Sequence, residues 1–145
     1  MTEPDSANAR PALDPTGVVR GAVIALVIAI PAGIALRVVG PKSGSQGLLF
    51  LVVLVGFAIG GAVAASTNPD RYLTQASAAS LVAVVVFLIV GLVDRAVSGR
   101  SVNVVSLAFT ALLAVSSGIL GAELGERRRL RAAAASDDGE HEPDE

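Results

Sequence analysis

Residues 48–65 read LLFLVVLVGFAIGGAVAA, with no charge, hydroxyl or amide in the run. As a helix rising 1.5 Å per residue the stretch is about 27 Å long, close to the ~30 Å hydrocarbon core of a bilayer. In lipid nothing but the segment itself can bond its N–H and C=O groups, and a helix satisfies them all. The run is apolar on every side, and such a helix belongs in lipid or in a large core. A chain of 145 residues has no core of that size.

Three more runs of similar length surround it. The spacing predicts an all-α membrane protein with four transmembrane helices arranged as two hairpins. The spans fall at about 18–39, 48–66, 76–93 and 102–122, within a membrane domain of 18–125. Hydrophobic residues make up 52% of the chain, in solid blocks, and the 17% that are charged fall almost wholly outside them. Cysteine is absent, which removes disulfides, thiolate ligands and thiol nucleophiles.

Residues 1–17, with Pro4, Pro11 and Pro15, have little to bury and read as a disordered cytoplasmic lead. The first span carries Arg20 and Arg37 near its ends. Its fully apolar part, 21–36, covers only about 24 Å, so both guanidinium groups are expected to extend along the helix into the headgroup layer. Pro31 is expected to kink it, since proline has no N–H and crowds the preceding turn. A cleaved signal peptide fits worse, because the leader is long and holds three acids against two arginines. Residues 40–47, GPKSGSQG, and 67–72, TNPDRY, are turn chemistry, with Tyr72 suited to an interface. Asp94, Arg95, Gly99 and Arg100 mark the last turn, and Asp94 and Arg95 read as boundary charges.

With four spans both termini and the 67–75 loop share one side. That side holds Arg10, Arg20, Arg71, Arg127, Arg128, Arg129 and Arg131, while Arg37, Lys42, Arg95 and Arg100 lie on the other. Seven cations against four place both termini in the cytoplasm, in a multi-pass protein of the bacterial cell membrane. The excess of Arg over Lys, together with abundant Ala, Gly and Val, fits a GC-rich bacterial genome.

Small residues set where the spans pack, because lipid tails are as apolar as leucine and give helices no hydrophobic pull toward each other. Gly21, Ala25, Ala29 and Gly33 recur at fourth positions on span one, as do Gly56, Gly60 and Ala64 on span two. Each set makes a groove for another backbone, within the monomer or between copies, and packing within the monomer is the preferred reading. Spans two and four end alike: Ile59, Gly61 and Ala62 recur sixty positions later as Ile119, Gly121 and Ala122, near Gly118. A parallel duplication of the hairpin would produce this, and so would chance in a chain rich in Gly and Ala.

Ser106, Thr110, Ser117 and Gly121 share a face of span four. They are candidates for a polar path gated by Glu123; the competing reading is hydroxyls bonded to their own i−4 carbonyls. Glu123 is the carboxylate nearest to lipid, and Arg127 stands at the i+4 position for an ion pair. Arg127, Arg128, Arg129 and Arg131 are expected to meet anionic headgroups, at about 1 kcal/mol per cation. The tail 126–145, basic and then acidic, reads as disordered and cytoplasmic. It holds the only histidine, His141, read as solvated.

The pattern contains no carboxylate pair, no Cys–His arrangement and no phosphate-cradling loop followed by lysine, so no enzyme, cofactor or metal is expected. Aromatic residues amount to 3%, and no nucleic-acid platform is expected.

At Gly60-Gly61-Ala62-Val63-Ala64-Ala65, and at Gly118-Ile119-Leu120-Gly121-Ala122-Glu123-Leu124-Gly125, the chain resembles small four-span membrane proteins of Gram-positive bacteria that have a Gly-Gly pair ending the second helix. The resemblance covers the spans and not the tails, and it implies architecture only. The expected partners are the bilayer and other membrane proteins or a second copy. The leading expectation is a structural or accessory subunit of an envelope assembly; the alternatives are an oligomeric transporter or channel lined by span four, and a holin-like pore.

Overall fold

The computed structural model describes residues 13–39, 45–99, 101 and 103–137. Its elements are α1 (Pro15–Val39), α2 (Ser45–Thr67), a 3₁₀ turn (Pro69–Arg71), α3 (Tyr72–Val97) and α4 (Val104–Asp137). All four α-helices are long and apolar enough to cross a membrane. Most helix ends differ from the expected spans, and local chemistry explains where. Asp14 caps α1: its Oδ1 accepts from Thr16 N at 3.0 Å and its Oδ2 from Gly17 N at 3.1 Å, with Pro15 in the first helical position. The expected lead is therefore helical over residues 15–17, while residues 1–12 lie outside the described residues. Pro31 sits inside α1 with its ring exposed and does not end the helix.

The turn after α2 is tight. The hydroxyls of Ser66 and Thr67 donate to the Val63 and Ala64 carbonyls at 2.7 and 2.8 Å, and Arg71 N donates to Asn68 O at 3.2 Å. α3 then starts at Tyr72, earlier than the expected 76, so Gln75 belongs to a helix and not to a loop. It ends on Gly99 at φ +65, a left-handed conformation that glycine adopts without strain. Asn103 caps α4, its Oδ1 accepting from Ser106 N at 3.1 Å.

The largest correction concerns the tail. Residues 126–137, expected to be disordered, continue α4 as helix. No glycine or proline interrupts them, Ala132 to Ala135 favour helix, and Arg129 lies 3.6 Å from Glu126 on the same surface. Residues 104–125 account for about 33 Å, and 126–137 carry the helix about 18 Å further. Residues 138–145, with His141, lie outside the described residues.

Packing is inverted in size relative to a soluble bundle. The buried side chains are mostly alanines, among them Ala25, Ala29, Ala64, Ala79, Ala83 and Ala122, while Val27, Leu51, Ile89, Phe109 and Leu112 face outward. α2 lies at the centre: it packs on α1, α3 and α4, whereas α1 and α4 make almost no contact with each other.

Glycine sets the distances. A Cβ on Gly21 would stand 2.6 Å from the Gly60 carbonyl oxygen, and one on Gly60 would stand 2.7 Å from the Ala25 Cβ. Gly56 faces the Ile28 Cβ at 3.0 Å, and Gly33 faces the Phe87 ring at 3.3 Å. On the other side of α2, a Cβ on Gly61 would overlap the Gly118 carbonyl, with the Gly118 Cα at 2.8 Å. One on Gly121 would overlap the Ala58 carbonyl, with the Ala58 Cα at 2.7 Å. Gly61 meets position 118 and Gly121 meets position 58, so the two contacts exchange under a shift of sixty residues.

Substitutions should follow this geometry. Gly61→Val forces α2 and α4 apart and should lower the melting temperature in mild detergent by several degrees, since overpacking costs about 1–3 kcal/mol. Gly91→Ala meets open space and should be neutral or stabilising, by up to about 1 kcal/mol. Equal melting temperatures for Gly61→Val and the wild type would contradict the close approach.

Candidate functional site

The two ends of the bundle are built differently. At the end carrying the termini, Gln75 is fully buried and holds the backbone of Asp14 from both sides: its Oε1 accepts from Asp14 N at 3.3 Å, and its Nε2 donates to Asp14 O. One amide thus ties the start of α3 to the cap of α1. Beside it, Thr67 fills the space that a Cβ on Gly17 would need. Tyr72 packs on a small cluster of Ala65, Ala76 and Ala122. Here the helices touch.

Toward the middle, Phe57 is 1% exposed and meets Phe87 edge to face, with ring centroids 6.3 Å apart at 88°. Beyond this pair, toward the opposite end, the helices leave a cavity of about 270 Å³ to which all four contribute. Its lining is mainly aliphatic, with Gly33 from α1, Phe87, Gly91 and Arg95 from α3, and Ser106 and Thr110 from α4. A Cβ on Gly91 would meet nothing within 4 Å, so this glycine leaves volume unfilled.

The residues considered for a polar path separate. Ser106 and Thr110 line the cavity, and the Thr110 hydroxyl donates to the Ser106 carbonyl at 2.8 Å, within its own helix. Ser117 is half-buried and does not line it, and Gly121 is closed against Ala58. Glu123 lies beyond that seam, paired with Arg127 at 2.6 Å. Arg127, Arg128, Arg129 and Arg131 are exposed on the extension of α4. The small residues of spans one, two and four, by contrast, come together in seams inside the chain, except Gly33, which faces the Phe87 ring and lines the cavity.

Sequence reasoning missed three polar side chains. The sequence reads Gln75 as part of a loop, and its one signal is an uncharged amide directly before an apolar run. Ser80, 2% exposed, puts its Oγ in the space that a Cβ on Gly118 would need. Arg95, read as a boundary charge, lines the cavity, and its Nη1 is buried without a hydrogen-bond partner among the described residues. Among those residues no group of three or more His, Cys, Asp or Glu could hold a metal ion.

No protein-family model, no curated protein and no solved structure matches the chain.

The tie between Gln75 and Asp14 is open to test. Gln75→Leu removes both bonds and should cost about 1–3 kcal/mol, with faster proteolysis before Pro15. Glu123→Gln removes a pair whose side chains are 44% and 65% exposed and should cost less than about 0.5 kcal/mol. Thermal melts and limited proteolysis give the ranking, and the reverse order would refute the tie.

Proposed function

We propose that the protein is a non-catalytic accessory or structural subunit of a bacterial cell-membrane assembly, with both termini in the cytoplasm and α4 as the helix that meets the partner. One observation carries this reading: α4 is the helix least covered by its own chain. Only 17% of its apolar window is buried, against 39% for α2 and 28% each for α1 and α3. Val104, Val105, Phe109 and Leu112 stand out from its first half, and Leu120 and Leu124 from its second. The glycine grooves are occupied within the chain, so association falls to this bulkier face. The exposed arginines just past the apolar part of α4 fit a cytoplasmic, headgroup-facing extension.

The transporter reading has less support. Gly61 and Gly118 meet backbone to backbone, the Thr110 hydroxyl is bonded within its helix, and Glu123 is paired. A conduit would have to run between copies and not through one.

Natural absence of cysteine makes the test direct. Single cysteines at Phe109 or Leu112 should cross-link a partner or a second copy in intact membranes, whereas one at Val27 on α1 should not. Reporter fusions to the two ends should both be active in the cytoplasm. A lone monomer with no cross-link from either position, or termini on opposite sides, would overturn the proposal.

We also propose that the two hairpins descend from a duplication. The support is the exchange of contacts under a shift of sixty residues, at the place where Ile59-Gly60-Gly61-Ala62 parallels Ile119-Leu120-Gly121-Ala122. In a self-dimer of the first hairpin, Gly61 would meet Ala58 of the other copy, the contact that Gly121 already makes. A fragment ending after Arg71 should therefore dimerise in mild detergent, and a strictly monomeric fragment would argue for chance.

A further inference from the structure

We propose that the cavity at the end away from the termini is a lipid site, which seats one acyl chain of an anionic phospholipid with its phosphate on Arg95. Two independent features meet there. The first is volume: about 270 Å³ of mainly aliphatic lining, just below the range of about 300–1,000 Å³ typical of ligand pockets and suited to a slender chain. The second is an unmet donor. Arg95 lies three positions from the start of the closing turn, on the last turn of α3, and its Nη1 is buried with no partner among the described residues.

A buried charged donor needs an acceptor, and next to hydrocarbon water is a poor source of one. A phosphate oxygen supplies it with opposite charge, and guanidinium and phosphate match in geometry. Asp94 does not line the cavity, and the hydroxyls of Ser106 and Thr110 add uncharged polar groups near the same end. The depth is right as well. Arg95 sits two residues before α3 ends at Val97, at the edge of its apolar run, while Phe87 lies two helical turns further into the helix, where a chain would reach. Gly91 lies between the two levels and leaves the space open. A lipid bound here requires no partner protein.

Native mass spectrometry of the full chain in mild detergent tests this with phosphatidylglycerol, diacylglycerol and oleate. The expected result is one phosphatidylglycerol held about tenfold more tightly than diacylglycerol, which has the same chains and no phosphate, as suits a hydrogen bond to a charged group. Arg95→Gln should remove that preference and leave diacylglycerol binding unchanged. Gly91→Leu, which takes up cavity volume and keeps the charge, should weaken both lipids. Equal affinity for phosphatidylglycerol and diacylglycerol, an unaltered preference in Arg95→Gln, or full binding by Gly91→Leu would each overturn the proposal. Retention of oleate in place of phosphatidylglycerol would do so too, by pointing to a free carboxylate as the occupant.

Discussion

The distance between backbones governs this molecule. Among lipid tails, helices gain nothing by hiding apolar surface from one another, so attraction comes from contacts that lipid cannot make as well. At Gly61, Gly118 and Gly121 the missing side chains bring two main chains together, and the same holds for Gly21 against Gly60. Everything larger must then point away. The alanine interior and the outward valines, leucines and isoleucines are one consequence seen from its two sides.

The seams are uneven along the membrane normal. At the end with the termini, glycine, alanine and threonine fill the spaces between helices, and Gln75 adds a polar tie to the Asp14 backbone. Such a bond gains strength where no water competes for its donor and acceptor. Past Phe57 and Phe87 the close-approach glycines give out. Gly33 faces a ring, Gly91 faces space, and the bundle opens. A chain tied at one end and loose at the other can admit a ligand at the loose end without disturbing its packing at the tied one.

The spans were legible because lipid imposes a length and forbids unpaired backbone, and both constraints act on local sequence. The i to i+4 spacing of Glu123 and Arg127 was legible for the same reason, being internal to one helix. Ends were less so: Asp14 as a cap and Ser66 and Thr67 as closing hydroxyls act through one or two bonds that an apolar window does not weigh. The helix over 126–137 was hidden by its charge, which resembles that of a tail although its residues favour helix. The roles of Gln75 and Arg95 were not legible at all. Each depends on which helix stands opposite, and in this chain that follows from contacts more than forty residues apart in sequence.

The glycine seams also limit what the membrane domain can do. A groove already filled by a neighbouring helix cannot receive another molecule, so Gly21, Gly60, Gly61 and Gly121 are spent on the fold. Gly61 stands against Gly118 and Gly121 against Ala58, with Phe57 and Ser80 buried beside the seam. Side chains remain unmatched elsewhere: along the exposed face of α4, and around the guanidinium of Arg95 at the open end.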